Sequence, residues 1–266
     1  MRYSSAADDG NPGGAASRSA TQARSCAHPH ASAAPPAQAA RHRRIARQVI
    51  ATMMLGWASL VVHAHACDVP ADVRQARPAA VKAYALSTGK SVLTFGGYSA
   101  SGYEDPDAML ARAERELAAY RPADTLVNIG ATAVGIGAVY EVAKRLGFTT
   151  VGIVSSLARD EKVELSRCVD IVFYVPDRTW GGRSPESGRL SPTSQAIVDV
   201  SATYVAIGGG EVTRDELLAM RQAGRPAVFV PADTNHRIAR ERARKANRPE
   251  PTDFRGAAHT AFLPGS

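Results

Sequence analysis

From residue 91 to residue 230 the chain alternates short, unbroken apolar runs with stretches of helical spacing, and few folds accept that pattern. The runs cover residues 91–95, 125–129, 150–154, 171–175, 204–207 and 227–230. Half-exposed strands alternate apolar and polar residues; these runs do not, so each is expected to be buried on both faces, as in a parallel sheet. Between the first two runs, residues 106–120 place Met109, Leu110, Ala113 and Leu117 on one helical face. Asp105 is the expected cap, with Pro106 in the first turn. Residues 136–146 and 213–222 read as two more helices, stopped by Gly147 and Gly224. Strands separated by helices imply βαβ units. The expected fold is therefore α/β: a doubly wound, Rossmann-like parallel sheet forming a single domain over residues 90–235.

In such a sheet, ligands lie beyond the carboxyl ends of the strands. Three of those ends carry glycine clusters. The first holds Gly96, Gly97 and Ser99; the second Gly130, Thr132, Gly135 and Gly137; the third Gly208, Gly209, Gly210 and Thr213. Glycine lets the backbone approach a ligand closely. A helix that follows directs free N–H groups and the positive end of its dipole at the same place, which suits an anion. These residues are the candidate binding set for a nucleotide-like, phosphate-bearing small molecule. The glycine spacing is not that of the dinucleotide fingerprint, and no Walker-type Gly-Lys-Ser/Thr is present, which argues against NTP hydrolysis. No cofactor is expected. No metal site is expected either, since no His or second Cys stands at ligand spacing near Cys168.

Taken together, the turns resemble the LOG family, within the SLOG superfamily of Rossmann-like nucleotide-binding domains. The resemblance covers roughly residues 91–233. Phe95-Gly96-Gly97 with the later Asp105-Pro106 looks like the family's first strand and the start of its first helix. The stretch from Gly130 to Val139 is similar to the second glycine turn, of the form GGGxxGLMGAV. Gly208-Gly209-Gly210-Glu211-Val212-Thr213-Arg214-Asp215-Glu216 is similar to the hallmark PGGxGTxxE. The resemblance implies a homodimer gripping a nucleoside monophosphate, and in active members hydrolysis of its N-glycosidic bond. It makes Glu216 the candidate catalytic residue, near the ribose, where a carboxylate stabilises a developing oxocarbenium charge. Two departures stand out. Gly208 replaces the hallmark proline, and Val212 replaces its second glycine. Active members also carry an Arg-Lys pair some distance upstream, where an ungapped count reaches Pro192-Thr193-Ser194; Arg189 is close but out of register. The expectation is a ligand-binding domain, with a phosphoribohydrolase of nucleoside 5′-monophosphates and an exported protein with a decayed site as alternatives.

Glu216 also admits a plain reading as a solvent-facing residue of a first helical turn. Trp180, in a long polar loop running to Pro192, either stacks a base or plugs its own loop. His236, after the last run, is a candidate base or a solvated histidine.

The formal net charge is +7, but residues 1–67 hold 7 Arg and 2 Asp, so most of the excess lies outside the domain. Much of the rest is in Arg237, Arg240, Arg242, Arg244, Lys245 and Arg248, a basic C-terminal tail over residues 236–266. Single-sign runs are usually solvated tails, so no nucleic-acid partner is expected. Residues 1–40, rich in Ala, Ser, Gly and Pro, read as disordered or untranslated. Residues 41–66 have the parts of a secretory signal: Arg41, Arg43, Arg44 and Arg47, an apolar run, then Ala64-His65-Ala66. That points to a periplasmic or exported protein, with the cytoplasm as alternative and no membrane contact beyond a signal or lipid anchor. Residues 67–89 read as a linker or an N-terminal helix. Cys67 and Cys168 leave a disulfide open without specifying it, and Cys168 by itself reads as a small buried hydrophobe.

Overall fold

The computed structural model describes Cys67 and residues 71–263. The disordered segment and the signal-like run expected over residues 1–66 lie outside the described residues. Seven parallel strands form one sheet in the order β1-β5-β4-β3-β2-β6-β7. They are β1 (Asp72–Gln75), β2 (Ser91–Gly97), β3 (Thr125–Asn128), β4 (Thr149–Ser155), β5 (Ile171–Val175), β6 (Thr203–Ile207) and β7 (Ala227–Val230). The helices are α1 (Pro78–Ser87), α2 (Pro106–Leu117), α3 (Val139–Arg145), α4 (Leu157–Asp160), α5 (Pro192–Val200), α6 (Glu211–Gln222) and α7 (His236–Lys245). The doubly wound α/β expectation holds. From β2 the chain steps outward through β3, β4 and β5, then returns to the other side of β2 with β6 and β7. The winding reverses between β2 and β6, and a crevice opens there.

Period-two alternation in the strands feeds two cores, one on each face. Leu93, Phe95, Val127, Val172, Val205 and Ile207 point at α2 and α3, meeting Met109, Leu117, Val139 and Tyr140. Val92, Leu126, Val151, Phe173 and Tyr204 point the other way, at Val81 of α1, Ile197 of α5, and Leu217 and Met220 of α6. Burial on both faces is why the strand runs are unbroken.

Several boundaries differ from the sequence expectation. The helix expected over residues 106–120 ends at Leu117. That expected over residues 136–146 is a 3₁₀ turn, Gly135–Ala138, running into α3. The helix expected from residue 213 begins at Glu211. The sheet also extends N-terminal to residue 90: β1, exposed along its length, pairs with β5 at the edge. Beyond residue 235, α7 is followed by a 3₁₀ segment, Ala257–Phe262, whose Ala258 and Ala261 are buried against α6. The charges of α7 are largely answered nearby. Arg237 and Lys245 pair with Glu241, and Arg240 and Arg244 with Glu250.

Cys67 and Cys168 form a disulfide, with their Cα atoms 4.2 Å apart. Cys168 is thus a cross-link and not an inert buried thiol. It fixes the loop between α4 and β5. That loop is also held by Ser166 N–H on the Ala131 carbonyl at 3.0 Å and by a bridge between Thr132 and Leu165.

Candidate functional site

A cavity of about 570 Å³ lies beyond the carboxyl ends of β2, β3, β4 and β6, where the winding reverses. Its floor is polar and buried: Thr94, Asn128, Thr193, Tyr204 and Glu216. Its walls are Ile129, Ile136, Ile153, Ala158 and Ile197. Its mouth carries three exposed apolar side chains, Val134, Val163 and Trp180, at 54%, 44% and 47% exposure. Apolar groups left in water around one opening fit a surface that another molecule covers.

Three buried tyrosines shape the glycine turns. In the turn after β2, the Tyr103 hydroxyl accepts from Tyr98 N–H at 3.1 Å and donates to the Ile207 carbonyl at 2.7 Å, joining the ends of β2 and β6. After β3, the Tyr140 hydroxyl accepts from the N–H groups of Ile129 and Ala131 and donates to the Val151 carbonyl at 2.7 Å. The Tyr98 hydroxyl donates to Ala232 O at 3.1 Å, tying the first turn to the chain beyond β7. Burial pushes the Tyr98 phenol up to about 12 and raises those of Tyr103 and Tyr140 as well, so all three stay protonated donors.

The candidate binding residues divide into two groups. Gly96, Gly97, Ser99, Gly130, Thr132 and Thr213 line the cavity. Gly135, Gly137, Gly208, Gly209 and Gly210 do not, and most of these serve close packing. Gly135 has φ +62°, and a Cβ there would sit 2.2 Å from the Tyr98 carbonyl oxygen. Gly210 is different: it is the N-cap of α6, a Cβ there would meet nothing, and it supplies no side-chain cap. The first-turn amides of α6 are therefore left without a side-chain acceptor, beside Val212 and Thr213 on the cavity wall. The N-caps of α2, α5 and α7 accept hydrogen bonds through the side chains of Asp105, Ser191 and Asn235, whereas those of α1, α3 and α4, like that of α6, make none. Of these uncapped helices, α6 contributes Val212 and Thr213 of its first turn to the cavity.

Glu216 is not solvent-facing: it is 3% exposed and sits on the cavity floor. Its carboxylate accepts from the Ser194 hydroxyl at 2.5 Å on one oxygen and from the Tyr204 hydroxyl at 2.5 Å on the other. Ser194 in turn accepts from Gly182 N–H at 2.7 Å. Burial raises the Glu216 carboxyl to about 7, against the two hydroxyl donors that lower it, with the Asp215 carboxylate adding to the rise. Tyr204 packs against glycine as well, since a Cβ on Gly96 would lie on its hydroxyl. Thr193 lies on the floor too. Its N–H donates to Asp177 at 2.9 Å, and its buried hydroxyl, without a hydrogen bond of good geometry, lies toward the same carboxylate and favours its ionised form.

Among the described residues the cavity lining contains two carboxylates, Glu164 and Glu216, and no Lys, Arg or His. Arg189 lines a separate hollow with Arg77. His236 also lies away from the cavity. It is stacked on Phe254 and bonded to Asp233 at 3.1 Å, where it pins the C-terminal segment. Among the described residues no three His, Cys, Asp or Glu side chains cluster as they would around a metal ion. No helix among them is long and apolar enough to cross a membrane.

Nothing in the sequence marks the three tyrosines, or a bond from Ser194 to Glu216. Tyr140 looks there like one more apolar helix residue. Ser191-Pro192, a cap followed by proline, was a visible signal for α5 and hence for Thr193 and Ser194.

No family model matches the chain, and no curated protein matches it. Among solved structures it is similar to the molybdenum cofactor carrier protein of Chlamydomonas reinhardtii. That match is 22% identical and covers 53% of this chain and 76% of that one, with a TM-score of 0.38. It is also similar to TM1055, a structural genomics target, at 19% identity over 52% of this chain and 72% of that one, again with a TM-score of 0.38. Likenesses of this degree assign no function.

Proposed function

We propose that the cavity between the ends of β2, β3, β4 and β6 binds a nucleotide or nucleotide-derived molecule. The observation that carries this reading is the opening of α6 onto the cavity with an uncapped first turn, at the point where the sheet's winding reverses. A phosphate group suits those amides and the hydroxyls of Thr213, Ser99 and Thr132. A planar base suits the apolar mouth of Val134, Val163 and Trp180. The resemblance of residues 208–216 to the LOG hallmark supports the same placement. Trp57 precedes Cys67, so in a chain starting at Cys67 the fluorescence of Trp180 reports on the mouth alone. Titration with adenine and guanine nucleosides, cyclic nucleotides and nucleotides is expected to shift that emission saturably. No shift and no thermal stabilisation with any of them overturns the reading.

A second reading, a phosphoribohydrolase, is favoured by one observation. Glu216 has a carboxyl raised to about 7 and faces the cavity, as a general acid or base would. Against it, both carboxylate oxygens are engaged and Thr193 stands where a cation is wanted. Release of free base from AMP would establish the activity, and Glu216→Ala should abolish it. A homodimer, implied by the family resemblance, is checked by sedimentation of the mature chain. The disulfide supports export, because such bonds persist in oxidising compartments. Fractionation with mass spectrometry of the N-terminus tests that.

A further inference from the structure

We propose that the ligand of this cavity carries at most one negative charge, so that the site takes cyclic nucleotides or other phosphodiesters and discriminates against nucleoside monophosphates. The inference rests on the nucleotide reading above and narrows it by charge.

Three observations converge. First, among the described residues no cation lines the cavity, whereas Glu164 and Glu216 do. Of the arginines on flanking segments, Arg214 pairs with Asp215 at 2.9 Å and Arg183 donates to the Gly188 carbonyl at 2.8 Å. Lys162, Arg167 and Arg178 flank the mouth, exposed, without lining the cavity. Second, the positive potential on offer is that of a helix terminus, worth roughly half an elementary charge. That is a fair match for one phosphodiester charge. It is too little for a monoester, which carries about −1.5 to −2 at neutral pH. Removing the second charge from water without a counter-charge is strongly unfavourable, and a nearby carboxylate adds to the penalty. Third, the floor offers hydroxyls and no positive charge. Thr193 Oγ1 is buried, makes no hydrogen bond of good geometry and lies toward the Asp177 carboxylate, a further negative charge behind the floor. The hydroxyls of Ser194 and Tyr204 are already spent on Glu216.

The test uses the whole chain and, in parallel, the chain beginning at Cys67, with three probes that differ little in shape: adenosine, 3′,5′-cyclic AMP and AMP, with charges near 0, −1 and −2. The guanosine set is run in parallel. Titration calorimetry is expected to give cyclic AMP at least about tenfold tighter than AMP at pH 8. AMP should tighten relative to cyclic AMP as the pH falls to 5.5, because its second phosphate proton returns near pH 6. Protonation of Glu216 over the same range acts in the same direction, because its charge repels the dianion more than the monoanion. AMP binding as tightly as cyclic AMP at pH 8, or tighter, overturns the inference while leaving the nucleotide reading intact. No binding by any member of either set defeats the nucleotide reading itself and this inference with it. Thr193→Arg, checked by circular dichroism for folding, places a cation on the floor and is expected to shift the preference toward AMP. An unchanged ratio in the folded variant overturns the charge argument. If that variant does not fold, the wild-type series and its pH dependence decide.

Discussion

The Tyr204 hydroxyl donates to the Glu216 carboxylate at 2.5 Å, and both groups are buried. The bond joins the start of β6 to the second turn of α6 on the cavity floor. It holds a carboxyl whose proton affinity is raised to about 7, chiefly by burial. The native state thus holds this proton more tightly than the unfolded chain, whose value is near 4.5. Stability from this group is complete below about pH 4.5, is lost as pH rises toward 7, and stays lost above.

Glu216→Gln should therefore separate from the wild type in a pH-dependent way. The amide mimics the protonated acid and does not ionise. The gap in unfolding free energy, variant minus wild type, should rise between pH 5 and pH 8 by on the order of 3 kcal/mol. Urea unfolding at the two pH values measures it. A gap that does not change with pH would show that Glu216 titrates normally.

Tyr140→Phe tests the second glycine turn. The substitution removes one hydroxyl but orphans two buried N–H groups, on Ile129 and Ala131, and the Val151 carbonyl. A buried polar group left unsatisfied costs about 1–3 kcal/mol, so a loss of about 2–4 kcal/mol is expected. Gly130 and Thr132 lie within this turn, so ligand affinity should fall with stability. Denaturant unfolding that matches the wild type would mean water replaces the hydroxyl.

How far the sequence revealed this arrangement follows from burial. The strands buried on both faces, such as β3 and β6, were legible as unbroken apolar runs. The edge strand β1 was not, because Asp-Val-Arg-Gln at an exposed edge has no need of apolar residues. The glycine turns were legible in position but not in purpose. Gly97 lines the cavity but is also required by the Tyr103 hydroxyl packed against it, as Gly135, away from the cavity, is by the Tyr98 carbonyl. Glu216 could be singled out by motif alone. Its burial depends on Ser194 and Tyr204, 22 and 12 residues away in the chain, which only the packing of α5 and β6 against α6 brings together. The lack of cations is likewise a property of the assembled lining. Arg183, Arg189 and Arg214 are all near in sequence, and none reaches the cavity.

Reduction of the Cys67–Cys168 bridge should destabilise the domain. The bond closes a sequence separation of 101 residues, for which the loss of unfolded-state entropy corresponds to about 3–5 kcal/mol. It also braces Val163, Glu164 and Leu165, which form one wall of the cavity. Cys168→Ser is expected to lower the unfolding midpoint and to weaken ligand binding, and dithiothreitol should do the same to the wild type. Thiol titration of the unfolded, unreduced chain beginning at Cys67 should find no free thiol; two would exclude the bridge.

Gly210→Asp separates ligand binding from stability. Gly210 has φ −90°, which any residue adopts, and a Cβ there meets nothing within 4 Å. Aspartate at an N-cap accepts from the first-turn amides and complements the helix dipole, so the variant should fold at least as well as the wild type, with a gain of up to about 1 kcal/mol. The same bond occupies the amides assigned here to a phosphate and places a negative charge beside them. Affinity for an anionic nucleotide probe should then drop by about tenfold or more, while adenosine, which has no phosphate, should be little affected. Most site variants lose binding because they loosen the fold. This one is expected to lose it while the melting temperature holds or rises. Equal losses for adenosine and the cyclic nucleotide would move the phosphate away from α6, and no loss for either would remove the helix terminus from the site.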